Sequence, residues 1–180
     1  LDTYKSGVAE AGIRAGADLI NDIWGLKYDN RMAEVIAKSG LPCCLMHNRN
    51  NTEYQDFVPD VVADLKKCLA VAEKYGVKKE NIMLDPGVGF GKTYEQNLAI
   101  INHLEVLCDM GYPVLLATSR KSVIGLTLDL PVTEREEGTI ATSVIGAMKG
   151  CDFVRVHDVQ ANARALRMTE AIMYGKEKEE

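Results

Sequence analysis

Ile82–Lys92 reads IMLDPGVGFGK. The apolar Ile-Met-Leu run ends in Asp85, Pro86 and three alternate glycines force a turn, and a helix-like stretch follows from about Tyr94. The order is strand, ligand-facing loop, helix. In parallel α/β architectures ligands bind at the carboxyl ends of the strands, so a carboxylate followed by glycines at that point suits a small molecule. Two nucleotide motifs fail here. A P-loop needs a glycine five residues ahead of Gly91, and that position is Pro86, which has no N–H to offer a phosphate. Gly87, Gly89 and Gly91 space as G-x-G-x-G, which is not the dinucleotide fingerprint.

Upstream of this stretch, Thr3 is expected to cap a helix running to about Ala15, with Val8, Ala9, Gly12 and Ile13 on its buried side. Asp18–Ile23 (DLINDI) reads as a strand carrying Asn21-Asp22, and Met32, Val35 and Ile36 mark a short helix stopped by Gly40. Leu41–Met46 (LPCCLM) is the next strand, ending at His47. After the polar loop Asn48–Asp56, Val58, Val61, Val62, Leu65, Leu69 and Ala72 repeat at helical spacing as far as Gly76. Downstream, Leu98, Ile101, Leu104 and Cys108 predict one helix closed by Gly111, and Pro113–Thr118 (PVLLAT) predicts a strand. Ser119-Arg120-Lys121-Ser122 then opens a loop to about Thr133. A helix carries Ile140, Val144, Ile145 and Met148, Phe153–Val156 is the last strand, and a final helix carries Ala165, Leu166, Ile172 and Met173. Lys176–Glu180 reads as a solvated charged tail.

The 180 residues fit a single domain, and 47% hydrophobic with 26% charged is ordinary for a globular protein. A net charge of -5 argues against a nucleic-acid-binding surface. No run approaches the roughly 18 apolar residues of a membrane span, and no signal peptide is visible. The five cysteines are odd in number and form no C-x-x-C pair, so reduced core thiols and a cytoplasmic location are expected. The chain opens on Leu1-Asp2-Thr3 with a helix pattern almost at once, which reads as the stump of a strand.

Alternating apolar strands and amphipathic helices make βα units and a parallel sheet. Asp2, Asn21, His47, Asp85, Lys121 and His157 all fall at or just beyond a strand's carboxyl end, the arrangement of a (β/α)8 TIM barrel enzyme. Five strands and a stump leave roughly two and a half βα units to be supplied in front, so a barrel truncated at its N-terminus is expected, from the strand 3 stump through helix 8. Asp2, Asn21 and Asp85 suit a flat nitrogen heterocycle, because carboxylate and carboxamide pair edge-on with ring N–H and amino groups. Lys121 adds a cation, and Arg155 and His157, two apart in a strand, point the same way as an anion site requires. Each has a plainer reading: Asp85 as a turn cap, Asn21 as a partner for loop backbone, Lys121 as a surface lysine, Arg155 and His157 as exposed strand-end polars. With Met46, His47 reads either as a pocket wall or as a hydrogen-bonded core histidine. The histidines and distant cysteines match no zinc spacing.

Leu1-Asp2-Thr3-Tyr4-Lys5, Asn21-Asp22, Leu45-Met46-His47, Leu84–Lys92, Ser119–Ser122 with Ile124-Gly125, and Arg155–Val159 resemble, in order, the motifs of the dihydropteroate synthase family. The resemblance implies a folate-biosynthesis transferase, a sulfonamide target, that joins 6-hydroxymethyl-7,8-dihydropterin diphosphate to p-aminobenzoate and releases diphosphate. It implies that Asp2, Asn21, Met46, Asp85, Phe90 and Lys121 surround the pterin, with Asp2, Asp85 and Lys121 catalytic. It places Arg155 and His157 on the diphosphate, and Phe90, Lys121 and Ser122 beside the aminobenzoate. Mg2+ is expected on the diphosphate, with the family's metal-binding asparagine outside these residues, and a homodimer is expected. The loop Asn48–Thr52 lacks the Met and Gly that follow Met-His in relatives. Without the family's front strand and closing loops, the 180-residue chain is expected to self-associate, to bind pterin weakly or not at all, and to show no sustained turnover. The alternatives are a pterin-binding methyltransferase using methyltetrahydrofolate, which would not need Ser-Arg-Lys-Ser or Arg155 and His157, and a catalytically dead fragment.

Overall fold

The computed structural model describes residues 1–175, so the charged tail expected at Lys176–Glu180 lies outside the described residues. Strands β1 (Ile20–Asp22), β2 (Cys43–Met46) and β3 (Ile82–Asp85) pair in parallel in that order, with Ile20 beside Cys43 and Cys43 beside Ile82. Strands β4 (Leu115–Leu116) and β5 (Phe153–Val154) pair in parallel as well. Single parallel bridges join Asp2 to Asn21 and Leu84 to Val114. The backbone order is therefore Asp2, β1, β2, β3, β4, β5, all running one way, as successive βα units demand. Every residue of β2 is buried, the pattern of a strand covered on both faces.

The helices are α1 (Ser6–Arg14), α2 (Met32–Ser39), α3 (Phe57–Lys74), α4 (Tyr94–Asn102), α5 (Glu105–Cys108), α6 (Ser122–Leu128), α7 (Glu136–Met148) and α8 (Val159–Tyr174). Ile20, Leu45, Leu65, Leu84, Ile100, Leu107 and Leu116 are fully buried between strands and helices. Each such side chain contributes about 1.5–3 kcal/mol relative to exposure. Gly40 ends α2 in the left-handed conformation, at φ 69°.

Four expectations are corrected. Thr3 does not cap α1. The helix starts at Ser6, whose N–H is held by Asp29 Oδ2 at 2.8 Å, while Thr3 Oγ1 accepts from Lys5 N at 3.1 Å; Val8 is exposed. The single helix expected from Leu98 to Cys108 is two, α4 and α5, broken at His103. Leu98 is exposed, while Leu104 in the break is buried. The loop expected from Ser119 to Thr133 contains α6, which buries Val123 and Ile124 and is closed by Asp129 in the left-handed conformation. Its β-branched residues and internal glycine have weak helix propensity, so packing decides it.

The fourth concerns α7 and α8. Their expected inward faces are partly outward: Ile145, Met148, Ile172 and Met173 are exposed, and Thr139, Ser143, Gly146, Asn162 and Thr169 are buried instead. Ser143 Oγ donates to Asn162 Oδ1 at 2.8 Å, and Asn162 Nδ2 reaches Glu136 Oε1 at 2.7 Å and Asp158 O at 2.8 Å. A Cβ at Gly146 would stand 2.7 Å from Leu116 Cδ2, so small residues let α7 settle onto β4.

Candidate active site

The carboxyl ends of the strands open onto a cavity of about 360 Å³. Asn21, Met46, Asp85, Phe90, Lys121, Arg155 and His157 line it, with Ile23, Ala117 and Val156 as apolar wall and Ser119 beside His157. Asp2 stands at its edge, joined to two of the lining residues. Arg155 Nη2 donates to Asp2 Oδ2 at 2.7 Å and Nη1 to Oδ1 at 3.2 Å, while Asn21 Nδ2 also donates to Asp2 Oδ1. Partial burial works against the Asp2 carboxylate, but these bonds hold its pKa below the usual range. The carboxamide is thereby fixed, and its Oδ1 is buried with no hydrogen-bond partner. Two expected site residues do not line the cavity: Asp2, at its edge, and Ser122, exposed at the first turn of α6.

Asp85 ends β3 and is buried. One oxygen accepts from Gly87 N at 2.6 Å, while burial pushes the carboxyl pKa up against the pull of Lys121. Lys121 lies 5.0 Å from the centre of the Phe90 ring, and its Nζ donates to Val88 O. Burial lowers its pKa, which the Asp85 charge partly offsets.

The glycine-rich loop is tied along its length. Gly89 N donates to Asn97 Oδ1 at 2.6 Å, and Tyr54 Oη donates to Gly91 O at 2.7 Å. Lys92 Nζ reaches Gly87 O and Phe90 O, each at 3.0 Å. The same nitrogen lies 2.9 Å from His47 Nδ1. His47 is completely buried and is not a wall of the cavity, which settles it as a hydrogen-bonded core histidine. Thr93 and Gln96 form a capping box that starts α4 directly after the loop.

Ser119 holds His157 in place. Its Oγ accepts from His157 N at 3.1 Å and lies 2.7 Å from His157 Nδ1, so its own proton is available to that nitrogen and Nε2–H is then free to donate. In the sequence, Ser119 and Lys92 stand only as members of motifs, with no role of their own. The signal for both was their place beside Lys121 and the last loop glycine.

A family model described as pterin binding enzyme matches residues 1–157. The chain belongs to the pterin-binding enzyme family. It is 63% identical over 174 residues to a dihydropteroate synthase of Clostridium beijerinckii, an alignment covering 96% of this chain and 65% of that protein. It is 53% identical to the dihydropteroate synthase of Bacillus subtilis, covering 96% of this chain and 61% of the relative. Among solved structures, a Clostridium difficile dihydropteroate synthase with pteroic acid superposes with a TM-score of 0.94 at 50% identity, covering 97% of this chain and 66% of that one. A Thermus thermophilus dihydropteroate synthase in complex with 6HMPPP superposes at 0.90 and 39% identity, covering 95% and 68%. The parallel βα units thus have the TIM-barrel layout of that family, and the chain spans about two thirds of the length of these relatives.

Proposed function

We propose that the protein condenses 6-hydroxymethyl-7,8-dihydropterin diphosphate with p-aminobenzoate to give 7,8-dihydropteroate and diphosphate. The observation that carries the reading is the Asn21 carboxamide, whose buried Oδ1 has no hydrogen-bond partner in the protein and which lines one cavity with Asp85. A buried acceptor without a donor is costly, and a ring N–H or amino group repairs it. Asn21, Asp85 and Lys121 then hold the ring edge, with Met46 and Phe90 against its faces. Arg155 and the Nε2–H of His157 receive the diphosphate.

In the reaction the methylene C–O bond breaks and its electron pair leaves with the diphosphate. The arylamine nitrogen donates its lone pair to the resulting cation, forming the C–N bond, and then loses a proton to solvent. The charges of Asp2 and Asp85 favour the cationic ring, and Arg155 and His157 favour the departing anion. Phe90 and Lys121 remain the candidates for the aminobenzoate side. Magnesium belongs to the reading as an ion on the diphosphate oxygens. Among the described residues no group of three or more His, Cys, Asp or Glu is placed to hold a metal, and no step here runs through one. Unpaired thiols suit a reducing cytoplasm, and among the described residues no helix is long and apolar enough to cross a membrane. A homodimer is part of the same proposal, with exposed Ile145 and Met148 of α7 and Met168 and Ile172 of α8 as apolar surface for a second copy.

The test is a titration of the full-length protein with a pterin and then with diphosphate, beside Asp85→Asn. The variant sets a donor where the ring presents donors, and the mismatch weakens pterin binding about tenfold or more. Equal pterin affinity in the two proteins would remove Asp85 from the site and the reading with it.

A further inference from the structure

Lys92 has no assigned part in the proposed reaction, yet its cation is held from three sides beneath the site. Three acceptors surround its Nζ: Gly87 O and Phe90 O at 3.0 Å and His47 Nδ1 at 2.9 Å. Serving three acceptors takes three N–H groups, so this geometry belongs to the ammonium, since a neutral amine would turn its lone pair on one of them. His47 is neutral, because burial drives its pKa down to about 3. With Nδ1 accepting from Lys92, its proton sits on Nε2, 3.4 Å from Asp64 Oδ2. Asp64 is in turn held by Arg49 at 2.6 Å and Lys67 at 2.9 Å. Lys92 thus ties the turn after Asp85, at Gly87 and Phe90, to the buried His47.

We propose that Lys92 is a positioning residue for the ring site: its ammonium holds the carbonyls of Gly87 and Phe90 and so sets the Asp85 carboxylate and the Phe90 ring against the ligand. The inference rests on the pterin reading. The loop has no slack to absorb loss of this clamp. A Cβ at Gly87, which stands at φ 70°, would collide with His47 O, and one at Gly91 would lie 2.6 Å from Arg49 O. Lys92 is not a lining residue of the cavity, so it acts only through what it holds.

The clamp is also sensitive to pH. Burial pulls the Lys92 pKa down to about 7; Asp85 resists, and Lys121, Lys27 and Arg49 add to the fall. His47 and Asp64 complete the ionisable groups packed around it. As pH rises through about 7 the third N–H is lost and the turn loosens.

The experiment follows amide exchange of Gly87 and Phe90 in the ligand-free, full-length protein from about pH 6 to 8.5, corrected for the intrinsic rate. It adds titrations with 6-hydroxymethylpterin and with inorganic diphosphate, for wild type and Lys92→Met. In wild type, protection at the two amides falls as pH rises. Lys92→Met exchanges about tenfold faster at the low end, has no pH step, and binds pterin about tenfold more weakly with diphosphate affinity within about twofold. Unchanged exchange and pterin affinity, or equal losses for both ligands, would overturn the proposal. A wild type that takes up no pterin would overturn the reading beneath it, and with it the assignment of Lys92 to a ring site. If Lys92→Met does not fold, wild-type protection that stays flat across the pH range is the overturning result.

Discussion

Asn21 holds a carboxamide oxygen that the ligand-free protein never satisfies, so its removal should cost the site more than the fold. For Asn21→Ala we expect thermal stability within about 1 kcal/mol of wild type and pterin affinity lowered about tenfold, read by calorimetry on one preparation. Arg155→Ala separates the two ends of the cavity. Diphosphate affinity should drop while pterin affinity stays near wild type, and equal losses for both would make Arg155 a structural residue. The lining residues were legible because strand ends are marked by apolar runs stopping at polar residues, as at Asp85; β5 stops at Val154, short of the expected Phe153–Val156, so Arg155 and His157 follow it in the loop. Ser122 stands outside the cavity because neighbours in sequence part company where a strand becomes a helix. The tasks of Ser119 and Lys92 could not be read, since they depend on His157 and His47, which lie 38 and 45 positions away.

Among the elements, α7 and α8 differ most from their sequence pattern. Periodicity put their larger apolar side chains inside, but Ser143 and Asn162 make the buried link between the two helices, while Gly146 and Thr139 face β4 and Arg120, where short side chains allow close approach. Asn162→Leu strands Ser143 Oγ and Glu136 Oε1 at once. A loss of about 2–3 kcal/mol is expected from denaturant titration, and a neutral result would show that the seam relaxes around an apolar side chain. Helix α6 was hidden for a related reason, its weak propensity being overridden by burial of Val123 and Ile124. The strand at Ile82–Asp85 was read to the residue, since flanking turn chemistry bounds it on both sides.

At the level of the whole molecule, His47 makes the fold acid-sensitive. Its folded pKa, about 3, lies below the usual 6.5, so between these values the unfolded chain binds the extra proton. The stability is complete above pH 6.5 and drains away as pH falls toward 3, by at most about 1.4 kcal/mol per pH unit. His47→Gln should flatten that slope in melting curves taken across the window. The barrel layout was legible from five successive βα units. Among the described residues no strand pairs with the outer edge of β5, and Phe153 is half exposed. Sedimentation at rising concentration should report association that Phe153→Lys weakens. The ion pair between Asp2 and Arg155 closes a span of 153 residues with two exposed side chains. Loop-closure entropy makes so distant a contact late to form in folding, and exposure limits its worth to at most about 1 kcal/mol. Arg155 is therefore under little obligation to Asp2. In the proposed reading, an arriving polyanion exchanges that carboxylate for phosphate oxygens at small cost, so the last contact to be assembled is the first to be recruited.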